Sequence, residues 1–229
     1  MKNKFDRVVV FLNGVVPEAG FLKSLIDERS YIVGCDGGVD IVYQLGLKPH
    51  AVVGDFDSAK SLPKLIKKMA AIDKINGDKR IVDDVAYVKY PTERDFTDGE
   101  AGLDYSALQN TKEIVIVCGL GGEVDHEMGN LFMIGKAKYD GLNIKFLEPG
   151  LEIFIVSGEV QINGQVGQKI SLMPIFDKVE VSCCSGLKYD LTKYQMAMET
   201  NAGTRNEFTK AQANIKITTG KFLAVIHKK

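Results

Sequence analysis

The sequence predicts an α/β domain followed by an all-β domain: an N-terminal doubly wound, mostly parallel sheet with helices on both faces, then a C-terminal antiparallel β-sandwich. Three observations predict this. In the first two-thirds of the chain, short apolar runs alternate with helical patterns. Those runs are β-branched and apolar at successive positions, as strands covered on both faces are. After Glu148-Pro149-Gly150 the pattern changes to short β-rich runs punctuated by turn residues, with no long amphipathic helix from Leu151 onward.

The expected N-terminal strands are Val8–Leu12, Tyr31–Gly34, Ala51–Val53, Ile114–Cys118 and Ile144–Leu147. Between them, Leu22, Leu25 and Ile26 form a short helical stripe. Leu62, Leu65, Ile66, Met69 and Ile72 form a longer one, at the i, i+3, i+4, i+7 spacing of an amphipathic helix. The C-terminal runs are Ile153–Ser157, Val160–Ile162, Lys169–Met173, Val179–Ser182, Ile215–Thr218 and Phe222–Ile226, and Asn163-Gly164 reads as a hairpin turn. The boundary then separates residues 1–148 from 149–229.

Composition excludes several classes. The 229 residues are 45% hydrophobic and 26% charged, and the formal net charge is -1, so no electrostatic footprint for nucleic acid is present. No apolar run approaches the roughly 20 residues that span a bilayer. Met1 to Arg7 is polar and lacks a signal-peptide core, which places the expected location in the cytoplasm. Cys35, Cys118, Cys183 and Cys184 form no C-x-x-C pair, and His50, His126 and His227 show no metal-ligand spacing. A disulfide framework and a zinc site are therefore not expected.

The usual phosphate motifs are missing. No G-x-x-x-x-G-K-[ST] occurs, and Gly119, Gly121 and Gly122 lead to Val124 where a dinucleotide loop needs its last glycine. Aspartates placed just after strands stand out instead. Asp36 follows the second run and precedes Gly37-Gly38, Asp55 and Asp57 follow the third, and Asp125 follows the glycine loop after Ile114–Cys118. Ligands of open α/β sheets bind beyond the carboxyl ends of the strands, so these acids should share one edge.

In an extended segment, Asp55 and Asp57 point to the same side. Two such charges ~4 Å apart repel by about 4 kcal/mol at an effective dielectric near 20, which a divalent cation would relieve. Oxygen-only ligands favour Mg²⁺. Thr97 and Glu100 match a capping box, so a helix should begin at Asp98, with Asp95 and Asp98 at an N-terminus that also attracts phosphate. Each acid has a plainer reading as a turn former or helix cap. Arg94 alone reads as a solvated surface charge, and His126 as a local partner of Asp125.

Taken together, Cys35-Asp36-Gly37-Gly38, Gly54-Asp55-Phe56-Asp57-Ser58, Asp95-Phe96-Thr97-Asp98-Gly99-Glu100 and Gly121-Gly122-Glu123-Val124-Asp125-His126 resemble the thiamine pyrophosphokinase family in order and context. Asn13-Gly14 with Pro17 is similar to the family's opening segment. Gly186-Leu187-Lys188-Tyr189 and Asn206-Glu207 are similar to its C-terminal signatures. The resemblance implies pyrophosphoryl transfer from ATP to the hydroxyl of thiamine, with release of AMP. It implies a homodimer with shared active sites, and no nucleic-acid or membrane partner.

By motif match, Asp55, Asp57 and Asp98 would hold Mg²⁺, while Asp36, Asp95 and Asp125 would complete the acidic site. Asn13, Gly37, Gly38, Ser58, Thr97, Gly121 and Gly122 would line the nucleotide. Asn206, with Arg205 beside it, would belong to the substrate-binding end. Two departures qualify the resemblance. Glu123 stands where the family often has arginine, and Arg205 where it often has serine. Like charges in a partly desolvated cleft are costly, so Glu123 should not contact the triphosphate and Arg205 should point away from the thiazolium. With no tryptophan in the chain, stacking on thiamine would fall to Phe or Tyr. The alternatives left open are another alcohol acceptor, a phosphohydrolase, and a nucleotide-binding relative without turnover.

Overall fold

The structure, a computed structural model, describes residues 4–64, 66–67 and 77–228. The stripe from Leu62 to Ile72 falls mostly outside the described residues. The chain forms two compact units, Met1–Met133 with Gly141–Ile144, and Ile134–Asp140 with Lys145–Lys229.

The first unit is built on strands β1 (Arg7–Phe11), β2 (Ser30–Cys35), β3 (Ala51–Gly54), β4 (Asp78–Val82), β5 (Val85–Lys89) and β6 (Glu113–Val117), in the order β6-β1-β2-β3-β5-β4. All neighbours are parallel except β4 with β5. Val8, Val9, Val10 and Phe11 are fully buried because β1 lies mid-sheet between β2 and β6. From β1 the chain builds outward through β2 and β3, then returns past the start to lay β6 on the other side. The order therefore reverses at the β1/β6 junction, the place where open α/β sheets form their ligand crevice.

The β4–β5 hairpin was not expected from sequence. Its turn is Asp83-Asp84, both in the left-handed region at φ 49° and 61°, as a two-residue turn of the I′ kind needs. Aspartate tolerates that region, but a pair of aspartates gives no glycine to read as a turn. Strand β4 is an edge, and its Asp78-Lys79-Arg80 charges discourage pairing with another chain.

The helices with both ends in the described residues are α1 (Ala19–Ser24), α2 (Gly38–Gln44), α3 (Asp98–Ala107) and α4 (Val124–Met133). Helix α3 starts where expected, and the Thr97 side chain accepts from the Glu100 amide at 3.2 Å. It packs against β1, β2 and β3. A Cβ on Gly102 would collide with the Cys35 sulfur, so glycine is what lets the helix lie this close to β2.

The second unit is an antiparallel sheet. It contains β7 (Ile144–Glu148), β8 (Leu151–Val156), β9 (Glu159–Asn163), β10 (Lys169–Ser185), β11 (Asn206–Glu207) and β12 (Gln212–His227). The pairing order is β11-β10-β12-β8-β7, with β9 also on β12. Two pairs of runs that read as separate strands are single long strands. Lys169–Met173 and Val179–Ser182 both lie in β10, and Ile215–Thr218 and Phe222–Ile226 both lie in β12. Register shifts between Ile175 and Cys183, with Phe176 at φ 68° and Gly220 at φ 78°, bend the pair without ending it. The polar residues at the bend mimic a turn. Asn163-Gly164 does not close a hairpin to β10, because β9 pairs with β12. Ile170, Leu172, Leu191, Met196, Phe208 and Phe222 are fully buried in this unit's core. Among the described residues, no helix is long and apolar enough to cross a membrane.

Candidate functional site

The crevice predicted by the strand order is present. A cavity of about 380 Å³ opens beyond the carboxyl ends of β1 and β6. Leu12, Asn13 and Gly14 follow β1, Gly119 and Gly122 follow β6, and Cys35 and Asp36 end β2. Thr97, Asp98 and Gly99 bring the start of α3, while Glu123, His126, Glu127 and Asn130 bring α4 and its approach. Backbone bonds from Leu12 to Val117 (3.0 Å) and from Gly14 to Cys118 (2.8 Å) hold the two strand exits together.

Below this cavity the acids converge. Oxygens of Asp36, Asp55 and Asp57 lie within 4.8 Å of one another. Asp36 adopts φ 45°, and its amide donates to the Val53 carbonyl at 2.9 Å, which locks the end of β2 onto β3. Ser58 Oγ donates to Asp36 Oδ2. Asp36 Oδ1 is buried and has no hydrogen-bond partner among the described residues, a costly state for a carboxylate oxygen unless something binds there. The extended geometry expected between Asp55 and Asp57 is not what forms. Phe56 sits at φ 66°, and the Asp57 amide turns back to donate to Asp55 Oδ1 at 3.2 Å.

Asp98 joins from α3. Its Oδ1 accepts from the Asp55 amide at 3.0 Å and from Arg94. A Cβ on Gly54, at φ 147°, would stand 2.6 Å from that same oxygen, so β3 must end in glycine for the helix carboxylate to approach. Burial pushes Asp98 up to about 6, with Asp55 and Asp36 adding to the rise and Arg94 opposing it. Burial likewise raises Asp57, and Asp55 and Asp36 contribute. Crowded carboxylates that resist ionisation, oxygen-only donors and one orphaned buried oxygen fit a hard divalent cation.

The other expected residues are placed as follows. Asn13 Nδ2 reaches Ser58 Oγ at 3.5 Å, and Ser58 Oγ also accepts from the Gly37 amide at 3.1 Å. Gly37 and Gly38 are buried behind this network, and a Cβ on Gly38 would strike the Phe11 carbonyl. Gly122 lines the cavity and Gly121 does not. Asp95 and Asp125 are exposed, and Asp125 Oδ1 accepts from the His126 amide at 2.9 Å. Glu123 is 83% exposed at the cavity rim, with His126 Nε2 at 4.0 Å. In the second unit Arg205 is exposed at φ 52°. Asn206 is fully buried: its Oδ1 accepts from the Tyr189 and Glu207 amides, both at 2.9 Å, and its Nδ2 donates to the Tyr189 carbonyl at 2.8 Å. Its amide thus braces Tyr189, whose side is 45% exposed.

One residue of the site was misread from sequence and two were missed. Arg94 is no surface charge. Its side chain is 7% exposed and contacts Asp55 and Asp98. Lys89 is 1% exposed, and its Nζ donates to the Asp55 carbonyl at 2.7 Å. A lysine ending the apolar run Val85–Val88 was the available signal. Asn130 of α4 donates to the Gly119 carbonyl at 2.9 Å and fixes the loop beneath the cavity.

Comparison with known proteins gives the family. Residues 22–146 match the profile described as "Thiamin pyrophosphokinase, catalytic domain". The chain belongs to the thiamin pyrophosphokinase family. Residues 159–223 match the companion profile, "Thiamin pyrophosphokinase, vitamin B1 binding domain". A curated relative, thiamine pyrophosphokinase of Bacillus subtilis, is 25% identical over 203 residues, covering 87% of this chain and 88% of the relative. Solved structures share the fold. Bacillus subtilis thiamine pyrophosphokinase superposes with TM-score 0.75 at 20% identity, covering 97% of this chain and 99% of the other. The Geobacillus thermodenitrificans protein gives 0.73 at 22% identity, covering 97% of each chain. The Candida albicans protein gives 0.67 at 15% identity, covering 98% of this chain and 90% of the other.

Proposed function

We infer that the protein is a thiamine pyrophosphokinase, transferring the pyrophosphoryl group of ATP to the hydroxyl of thiamine and releasing AMP. The observation that carries this reading is the cluster of Asp36, Asp55 and Asp57 at the edge of a sheet that matches the family's catalytic domain. Attack at the β-phosphorus develops charge on bridging oxygens, and phosphoryl chemistry of this kind depends on positioning and electrostatic stabilisation.

The acidic cluster holds Mg²⁺, which supplies neutralisation of the transferring phosphates. Asp36, Asp55 and Asp57 are the nearest donors, with Asp98 beside them. The capped start of α3 offers backbone amides to phosphate oxygens, and Asn13, Gly14, Thr97 and Gly122 line the nucleotide's cavity. Ser58, Gly37 and Gly38 support that lining from behind. Asp95 and Asp125, both exposed, are the candidates to orient the thiamine hydroxyl. Residues 1–148 carry the ATP chemistry and residues 149–229 carry thiamine recognition, where Asn206 serves by holding Tyr189 in place. In the same reading, helices cover both faces of the first sheet and the second unit is a sandwich. The working form is a cytoplasmic homodimer with shared active sites, so light scattering should give twice the chain mass.

The deciding assay combines purified protein, ATP, Mg²⁺ and thiamine, and follows AMP and thiamine pyrophosphate together. Equal amounts of both products, each dependent on thiamine, are expected. Phosphate or AMP released without thiamine would show a hydrolase. Turnover only with a different alcohol would show another acceptor, and ATP binding without turnover would show a non-catalytic relative.

A further inference from the structure

We propose that Arg94 is the resident counter-cation of the acidic site, bridging Asp55 and Asp98, and that its charge opposes a divalent ion held among Asp36, Asp55 and Asp57. The proposal rests on the reading that Asp36, Asp55 and Asp57 hold that ion.

Every nitrogen of the Arg94 fork is engaged. Nη1 reaches Asp55 Oδ2 at 3.3 Å and the Pro91 carbonyl, Nη2 pairs with Asp98 Oδ1, and Nε donates to the Phe96 carbonyl at 3.0 Å. The guanidinium lies over the Phe96 ring, 5.5 Å from its centroid. A planar fork fixes the geometry between two carboxylates, which a lysine ammonium on its flexible stem does less rigidly. The two carboxylates come from different elements, Asp55 from the end of β3 and Asp98 from the first turn of α3. Arg94 thus fastens the two acids together.

Both oxygens of Asp55 are engaged, Oδ1 by the Asp57 amide and Oδ2 by Arg94. Each oxygen keeps a second lone pair, so an ion that takes Asp55 sits close to the guanidinium and is opposed by its charge. The 3.3 Å bond to Arg94 is beyond the usual N–H···O range. Asp36 Oδ1, buried and unpartnered among the described residues, faces no competing donor there. Asp36, Asp55 and Asp57 would hold the ion, with Arg94 paired to Asp98 beside it. Arg94 is a positioning residue, and its presence weakens the ion's affinity through like charge while keeping the ligands in register.

The test is Mn²⁺ affinity without nucleotide, measured by electron paramagnetic resonance for wild type, Arg94→Gln and Arg94→Lys, with thermal melts in EDTA alongside. Removing a cation close to the ion should tighten Mn²⁺ binding about tenfold in Arg94→Gln, and the same variant should melt lower than wild type in EDTA. Arg94→Lys keeps the charge and should stay within about threefold of wild type. Unchanged or weaker Mn²⁺ binding in Arg94→Gln overturns the proposal. If Arg94→Gln does not fold, the wild-type Arg94 Nε resonance decides, assigned by its loss in Arg94→Lys. A shift on Mg²⁺ saturation is expected, and no shift overturns the proposal. Failure of wild type to bind Mn²⁺ overturns the metal-site reading along with it. Equal binding by wild type and Arg94→Gln overturns only the role of Arg94.

Discussion

Replacing Asp36 by asparagine separates a metal ligand from a structural carboxylate, because the two roles predict stability changes of opposite sign. Asparagine has the same shape, tolerates the left-handed backbone that Asp36 occupies, and keeps an acceptor for Ser58. The charge is lost, and one carboxylate oxygen becomes an amide nitrogen. At the 4.8 Å limit within which the Asp36, Asp55 and Asp57 oxygens lie, each like-charge pair costs about 3.5 kcal/mol at an effective dielectric near 20. Asp57 is exposed, so solvent removes much of its share, and the net relief should be roughly 1–2 kcal/mol. In EDTA, Asp36→Asn should therefore melt roughly 3–6 °C above wild type. With ATP, thiamine and Mg²⁺, loss of one anionic ligand should lower kcat/KM about a hundredfold, or ~3 kcal/mol. The two assays are a melt in chelator and a coupled AMP measurement. Activity within threefold of wild type would refute the ligand role. A lower melting temperature in EDTA would refute the repulsion argument.

Chelating Mg²⁺ should abolish turnover, and Asp57→Asn should cost at least about a hundredfold in rate, on the order of 3 kcal/mol; near-normal activity in AMP release would remove Asp57 from the site. Arg205 and Glu123 are both exposed, so Arg205→Ser should change the KM for thiamine less than about threefold and Glu123→Arg should improve ATP use only modestly. A hundredfold gain from Arg205→Ser would instead point to a different acceptor. His50 Nδ1 accepts from the Ile32 amide at 3.0 Å while its ring stacks on Tyr31, 4.7 Å away. Burial lowers its pKa, and Lys4 and Lys48 add to the drop. Its contribution is thus complete above the unfolded value near 6.5 and is lost as pH falls through the folded one. His50→Gln should flatten the fall in stability between about pH 7 and 5 in urea titrations, and an unchanged slope would exclude His50 as the source.

Much of this was legible because the first sheet is parallel and buried. Val8–Leu12 and Ile114–Cys118 had to be strands, and once they were, Asp36, Asp55 and Asp57 fell at strand ends on one edge. The capping box at Thr97 placed α3 to the residue. What stayed illegible was set by distant partners. The charge of Arg94 looked solvated because nothing local shows that two carboxylates from other elements enclose it. Lys89 was hidden the same way, since its partner, the carbonyl of Asp55, lies 34 residues earlier in the chain. The long strands β10 and β12 were split in the sequence because the register shifts between them put polar residues in mid-strand.

The backbone at the site explains how one edge can hold so much charge at close range. The strands that feed it end in left-handed residues: Asp36 after β2 at φ 45°, Gly54 and Phe56 at the end of β3 at 147° and 66°, and Cys118 after β6 at 57°. Only one of these is glycine. The other three carry a cost of order 1–3 kcal/mol each, which the surrounding structure must over-determine. It does so here. The Asp36 amide is bonded to Val53, the Asp55 amide to Asp98, and the Cys118 carbonyl to Gly14. Each left-handed residue turns the chain sharply at the strand's end, so the next side chains stop at the crevice. A relaxed exit would carry Asp57 onward along the strand direction, away from Asp36. Strain and crowded charge are therefore two aspects of one arrangement, and a cation bound among Asp36, Asp55 and Asp57 offsets the second without disturbing the first.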